Sequence, residues 1–122
     1  MKVYLDNCTY NRPFDDQSQM RIHLETQAKL YIQKLILKGR LLLTISYISH
    51  YENRNSYYLK SKVAIDKFFE NATTFIDIDK SDIIEVRANE IMKYGVKSKD
   101  ALHLSSAIEA GCDYFITTDN EI

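Results

Sequence analysis

Short apolar runs alternate with segments of helical periodicity along most of this chain, and this alternation constrains the fold more than any other feature. Strand-length runs rich in β-branched, aromatic and leucine residues lie at 3–5, 41–45, 74–77 and 114–118. Segments with apolar residues at helical spacing lie at 17–38, 51–69, 81–95 and 98–111. Such an alternation favours parallel strands joined by right-handed helical crossovers. We therefore expect an α/β domain with a parallel central sheet of about four strands, flanked by helices.

The chain has the length of one domain. At 122 residues, 45% of them hydrophobic, it can bury one core but not two. No segment approaches the ~18 consecutive apolar residues of a membrane-spanning helix, and the first residues, MKVYLDNC, lack the apolar run of a secretory signal. Cys8 and Cys112 lie far apart and lack metal-ligand spacing, which favours reduced thiols. We expect a single cytoplasmic domain, 1–122.

The net charge of −1 argues against a strongly basic nucleic-acid-binding protein. The charge is unevenly spread, however. Residues 1–61 carry nine Lys and Arg against five Asp and Glu, and residues 62–122 carry seven against twelve. A polyanionic ligand would therefore need a local basic surface or a bound cation.

Four acidic residues lie at the ends of predicted elements: Asp6, Glu52, Asp100 and Asp119. The first and last follow strands, and the other two lie near helix starts. In parallel sheets, ligands bind beyond the carboxyl ends of the strands, where the strand order reverses. Carboxylates gathered there would repel one another unless a cation compensates, and their oxygens suit Mg²⁺ or Mn²⁺. Such ions activate water without a Ser, Cys or His nucleophile, which predicts hydrolysis of a phosphate ester.

Each of these acids also has a purely structural interpretation. Asp6 could close an Asx turn, and Glu52 could complete a capping box with Ser49. Asp100 could favour a helix dipole, and Asp119 could form a turn. Their joint placement at one edge of the sheet favours the metal-site interpretation.

The chain resembles PIN-domain nucleases, including the toxin components of bacterial toxin–antitoxin pairs, over nearly its whole length. The resemblance rests on LDNCTYNRPFDD at 5–16, an early Glu52, and KSKDALHLSSAIEAGCDYFITTDN at 97–120. It implies a three-layer α/β/α fold and a metal-dependent endoribonuclease that cleaves RNA with Mg²⁺ or Mn²⁺ and is inhibited by an antitoxin protein. The catalytic metal ligands that it implies are Asp6, Glu52, Asp100 and Asp119.

Several neighbouring residues are weaker candidates. Glu52 is the least certain of the four matches, and Glu25 is an alternative second acid. Asn11 and Arg12 follow the first acid closely enough to contact phosphate. His103 lies one turn after the helix-opening acid, but a lone helical histidine is more often packed or exposed than a ligand, so we do not include it.

PIN domains usually continue into another helix and strand beyond the point where this chain stops. We therefore expect a C-terminally short domain whose strand 114–118 forms an exposed sheet edge, able to pair with a second copy. The short C-terminus leaves open a different class of function, a catalytically inactive PIN-domain remnant that binds a partner or RNA.

Two further interpretations remain at this point. A phosphatase could use Asp6 as a nucleophile, although that chemistry normally needs another acid at the position of Cys8. Base stacking is suggested by the pair Tyr57 and Tyr58. Because the pair falls within the helix predicted at 51–69, we expect at most one of the two rings to face solvent.

Overall fold

A four-stranded parallel sheet forms the centre of the fold. In the computed structural model, which describes residues 1–118, the strands are β1 (Lys2–Leu5), β2 (Leu42–Ser46), β3 (Thr74–Ile76) and β4 (Tyr114–Ile116). The strand order is β3-β2-β1-β4, and each neighbouring pair is parallel. The parallel α/β sheet predicted from the alternating pattern is confirmed.

Helices cover both faces of this sheet, which gives three layers. They are α1 (Asn7–Asn11), α2 (Met20–Leu37), α3 (Tyr47–Arg54), α4 (Leu59–Phe68), α5 (Ser81–Met92) and α6 (Ser98–Glu109). Short 3₁₀ turns occur at Arg12–Phe14, Phe69–Asn71 and Ile78–Lys80. Within residues 1–118, no helix combines the length and the apolar character needed to cross a membrane.

The two faces of β1 meet different surroundings. Val3 and Leu5 pack into an apolar cluster with Ile36 of α2 and Phe68 of α4. Burying a side chain of this kind contributes roughly 1.5–3 kcal/mol, so this layer stabilises the sheet. Tyr4 points to the opposite face, where its hydroxyl meets polar side chains of α3 and α6 instead of an apolar cluster. The layer on this face therefore combines a buried polar centre with a second apolar cluster, formed by Ile48, Ile76 and Ile84.

The single helix predicted at 51–69 is wrong. The structure has two helices, α3 and α4, and the chain between Arg54 and Leu59 is not helical. The side chain of Asn55 donates to the backbone oxygen of Tyr51 at 2.9 Å. Asparagine side chains that bond the backbone in this way compete with continuation of a helix, and the sequence pattern does not reveal which competitor wins.

This break also overturns the expectation for the tyrosine pair. Tyr57 and Tyr58 lie in the segment between the helices, and their exposed fractions are 99% and 76%. Both residues therefore face solvent.

The start of α3 differs from the predicted capping box. Ser46 Oγ accepts from the backbone nitrogen of Ser49 at 3.3 Å, and Ser49 Oγ accepts from the backbone nitrogen of Ser46 at 3.1 Å. The box is therefore formed by Ser46, the last residue of β2, and Ser49, in the first turn of α3, and the capping role considered for Glu52 is wrong. Glu52 lies further along α3, where another explanation of its position is needed.

Candidate active site at the carboxyl edge of the sheet

Asp6 lies at the point where the strand order reverses. The chain proceeds from β1 to β2 and β3 on one side, whereas β4 lies on the other side of β1. Asp6 follows β1 directly and is only 2% exposed. Crevices at this position are the usual ligand sites of parallel α/β sheets. The placement predicted for this residue is therefore the one observed.

Two threonines hold the Asp6 carboxylate. Oδ1 accepts from the backbone nitrogen of Thr9 at 3.0 Å and from its hydroxyl at 2.8 Å. Oδ2 accepts from the hydroxyl of Thr117 at 2.5 Å. By accepting from the Thr9 nitrogen, Asp6 caps α1, which is a structural role. The Thr117 bond is not part of this cap, because Thr117 lies in the chain after β4. Asp6 is therefore fixed from two sides of the switch point.

Glu52 is held by His103, which was not among the predicted site residues. The Glu52 side chain is 11% exposed, and its Oε1 atom is hydrogen-bonded to Nε2 of His103. His103 belongs to α6 and is 2% exposed. Its Nδ1 atom lies 2.5 Å from the hydroxyl of Tyr4. A buried polar chain thus runs from the central strand through α6 to α3.

The Tyr4 end of this chain is also buried and paired. The Tyr4 hydroxyl lies 2.7 Å from Ser46 Oγ and 3.3 Å from Ser49 Oγ. Burial raises the pKa of Tyr4 well above its ordinary value, so the phenol stays protonated across the physiological range. We call Tyr4, Ser46, Ser49, His103 and Glu52 the buried relay.

Asp100 lies in the first turn of α6, and the neighbouring contacts show which edge of the sheet that turn faces. At the other end of α6, the Lys2 ammonium donates to the backbone oxygen of Ala110 at 3.1 Å. The Lys2 backbone nitrogen donates to Asp113 Oδ2 at 2.8 Å. The carboxyl end of α6 therefore lies beside the start of β1. Its first turn, with the half-buried Asp100, points toward the edge where β1 ends.

A cleft of about 350 Å³ opens at this edge, and we call it the polar cleft. Its lining includes Glu52, Asn7, which follows Asp6, and Lys99, which precedes Asp100. The structure thus brings Glu52 together with the immediate neighbours of the other two described acids. The remaining lining residues are Asn11, Phe14, Asp15, Tyr51, Asn55, Ser56, Tyr57, Tyr58 and Ser61.

The two weaker substrate candidates differ in their surroundings. Asn11 lines the polar cleft and donates to the side-chain oxygen of Asn7 at 3.0 Å. Arg12 forms ion pairs with Asp15 at 3.1 Å and with Glu25 at 2.9 Å. Its guanidinium is therefore already balanced by carboxylates, whereas the Asn11 amide belongs to the cleft wall.

Glu25, the alternative second acid, has two arginine partners. Besides Arg12, it pairs with Arg21 at 2.8 Å. Both arginines also donate to Thr118, one to its hydroxyl and one to its backbone oxygen, each at 3.1 Å. This cluster anchors the chain after β4. Of the two candidate acids, Glu52 therefore lines the polar cleft, whereas Glu25 is paired with arginines.

Asp119 lies outside the described residues. In residues 1–118, no group of three or more His, Cys, Asp and Glu side chains is arranged to hold a metal ion. Cys8 and Cys112 are not joined by a disulfide in this part of the chain.

Some of the missed residues left a signal in the sequence. Thr9 stands three residues after Asp6, which is capping spacing, and Tyr4 stands two residues before Asp6, on the strand that Asp6 follows. The partnership of His103 with Glu52 had no such signal, because it joins two helices that are remote in sequence. No known family model matches this sequence, and no curated protein matches it either.

Proposed function

We propose that this protein is a metal-dependent endoribonuclease of the PIN type, with Asp6, Glu52, Asp100 and Asp119 as the ligands of Mg²⁺ or Mn²⁺. The observation that carries the proposal is the nearly complete burial of the Asp6 carboxylate at the switch point, where hydroxyl groups from both sides hold it. A buried carboxylate is costly unless hydrogen bonds or a cation compensate it. Its fixed position suits a ligand that must not rearrange.

The donor chemistry fits a hard divalent cation. Asp6 Oδ1 already accepts two hydrogen bonds, whereas within residues 1–118 Oδ2 accepts one, from Thr117. Glu52 has Oε1 occupied by His103. In each carboxylate the less engaged oxygen, Oδ2 of Asp6 and Oε2 of Glu52, keeps lone-pair capacity for a cation. Oxygen ligands of this kind are those that Mg²⁺ and Mn²⁺ prefer.

The bound ion would polarise the phosphodiester and lower the pKa of a water molecule. The chain's own residues would bind and orient the substrate. Lys99 would place a positive charge beside the phosphate, and the side-chain amide of Asn7, whose oxygen Asn11 holds, would offer a hydrogen bond. The threonine partners of Asp6 would keep its carboxylate from turning as the charge on the phosphate changes.

Exposed aromatic residues support a nucleic-acid substrate. Tyr51, Tyr57 and Tyr58 line the polar cleft, and their exposed fractions are 61%, 99% and 76%. Aromatic rings beside a cleft give unpaired bases surfaces on which to stack, at ~1–3 kcal/mol per base. The same observation favours a second candidate function, a catalytically inactive module that binds RNA or a partner without cleavage.

The test is cleavage of a labelled RNA pool by the purified protein with Mn²⁺. Asp100→Asn removes a proposed ligand, and Asp82→Asn is the matched control, since Asp82 is exposed in the first turn of α5. We expect cleavage by the wild type and by Asp82→Asn, and none with EDTA or with Asp100→Asn. Equal cleavage by both variants would contradict the proposal. RNA binding without cleavage by a folded wild type would favour the binding module.

Two kinds of partner belong to this proposal. A toxin-like member would act in the cytoplasm and be held inactive by an antitoxin protein, so co-expression with the product of a neighbouring gene should suppress cleavage. A homodimer is the second, because β4 is an outer strand of the sheet and Tyr114 is 55% exposed. Sedimentation of the purified protein distinguishes monomer from dimer.

A further inference from the structure

The buried relay connects the elements that carry the three described acids. Tyr4 stands two residues before Asp6 on β1, and His103 stands three residues after Asp100 on α6. We infer that His103 is a positioning residue, which orients the Glu52 carboxylate through Nε2 while Tyr4 orients the imidazole through Nδ1. This inference rests on the proposed function, in which Glu52 is a metal ligand.

The hydrogen bonds of the relay select one tautomer of His103. Ser46 Oγ and Ser49 Oγ each accept a backbone N–H of the capping box, so both hydroxyl hydrogens remain for other acceptors. Both hydroxyls lie within hydrogen-bonding distance of the Tyr4 oxygen, which can accept them. The Tyr4 hydrogen then points to Nδ1 of His103. At the other ring nitrogen, Nε2 carries a hydrogen and donates it to Glu52, because an ionised carboxylate can only accept.

Burial keeps the hydrogen-bond partners of Tyr4 and His103 fixed. Tyr4 is 0% exposed and His103 is 2% exposed, so neither ring can exchange its partner for bulk water without opening the core. Glu52 reaches the polar cleft from the end of the relay. With Oε1 held by the imidazole, the carboxylate is restricted in rotation, and Oε2 is the oxygen that remains for a ligand. Hydrogen-bond partners that fix a metal ligand in this way typically contribute 10- to 100-fold in metal affinity.

Two substitutions of the same residue separate positioning from packing. In His103→Gln the side-chain amide nitrogen comes close to the place of Nε2, so the donor to Glu52 is kept. In His103→Asn the amide comes close to the place of Nδ1, so the contact with Tyr4 is kept and that with Glu52 is lost. We expect the dissociation constant of Mn²⁺, measured by electron paramagnetic resonance, to rise about 10- to 100-fold in His103→Asn. His103→Gln should restore most of this affinity, although both variants lower the melting temperature.

Equal Mn²⁺ affinities in the two variants would overturn the inference, because packing alone would then account for the histidine. A second readout needs no metal. In the metal-free wild type, the ¹⁵N shifts of the His103 ring should report the Nε2–H tautomer, and the Nε2 signal should move in Glu52→Gln. A ring with hydrogen on Nδ1, or a signal that does not respond to Glu52→Gln, would also overturn the inference.

The same measurements distinguish failure of the inference from failure of the proposed function. If wild type binds Mn²⁺ no better than Asp6→Asn does, the metal-dependent function is wrong, and the ligand role of Glu52 falls with it. If Mn²⁺ binds in a manner that depends on Asp6 but His103→Asn binds it as wild type does, the proposed function stands and the positioning role is wrong.

Discussion

Thr117 donates its hydroxyl hydrogen to Asp6 at 2.5 Å, although 111 residues separate the two positions. The backbone reinforces the contact, since the Asp6 nitrogen donates to the backbone oxygen of Ile116 at 3.2 Å. The two residues follow neighbouring strands, β1 and β4, on either side of the switch point. The position of the central acid therefore depends on how the last part of the chain is placed.

Replacement of Thr117 by valine keeps the shape of the side chain and removes this hydroxyl. A hydrogen bond to a charged group contributes ~1.5–3 kcal/mol, so the free energy of unfolding in urea should fall by about that amount. The affinity for Mn²⁺ should also fall, because Asp6 Oδ2 loses a partner that orients it. Thr73→Val, at an exposed position before β3, is the matched control and should change neither quantity. A stability loss without any change in metal affinity would separate Thr117 from the proposed site.

The parallel sheet could be predicted from the sequence, because the spacing of apolar residues and the length of each segment distinguish strands from helices. Four apolar runs separated by long helical segments allow few arrangements other than parallel strands with crossovers. The positions of Asp6 and Asp100 could be predicted as well, because each lies at the end of a predicted strand or the start of a predicted helix. Glu52 required the structure: the side chain lies inside α3, and its partner, His103, is on α6.

The helix break at 55–58 illustrates why the rest of the site could not be predicted. The residues around the break are compatible with either a helix or a turn, and the local sequence pattern does not favour one over the other. The side chain of Asn55 bonds the Tyr51 backbone oxygen at the point where the helix stops. Because the helix stops there, Tyr57 and Tyr58 lie at the polar cleft. The most exposed part of the candidate site therefore depends on the local competition between a helix and a turn at Asn55.

Metal binding should be visible as stability before any substrate is present. An ion that binds the folded state alone stabilises it by about 2.7 kcal/mol at a concentration 100 times its dissociation constant. We expect Mn²⁺ to raise the melting temperature of the wild type and EDTA to reverse the rise. Asp6→Asn should abolish the effect, and Asp82→Asn should retain it. A rise of equal size in all three proteins would indicate binding away from the carboxyl edge.

Substitution of the tyrosine pair should weaken RNA binding without weakening the fold. Both residues are largely exposed and line the polar cleft, so Tyr57→Ala and Tyr58→Ala remove stacking surface and little packing. Each should reduce the affinity for single-stranded RNA by ~1–3 kcal/mol, measured by fluorescence anisotropy with EDTA present to prevent cleavage. Tyr94→Ala is the control, since Tyr94 is 90% exposed after α5 and is not among the cleft residues. Equal losses for all three variants would show that the pair has no particular role.

Lys29 makes the stability of the fold depend on pH, and the direction of this dependence follows from the burial of its side chain. Its side chain on α2 is buried, with the ammonium 2.6 Å from Gln33 Oε1 and 5.4 Å from the centre of the Phe68 ring. The Tyr10 ring also faces it, at 5.9 Å, and burial raises the pKa of that phenol well above its ordinary value. Burial lowers the pKa of Lys29 from 10.5 to about 8. The folded protein therefore holds this proton less tightly than the unfolded chain does.

Because the unfolded state binds more protons between about pH 8 and 10.5, the Lys29 contribution to stability should rise with pH across that window and stay constant below it. Lys29→Met removes the ionisable group, so at pH 7 it should stabilise the protein by about 1–3 kcal/mol, the upper end being reduced by the lost contacts with Gln33 and the rings. The advantage over wild type should shrink as the pH rises from 8 to 10. Urea unfolding at several pH values measures it, with Lys34→Met on the exposed side of α2 as the control. A stability difference between wild type and Lys29→Met that stays constant with pH would mean that Lys29 keeps an ordinary pKa. The contacts of its ammonium with Gln33 and the two rings would then offset the cost of its burial.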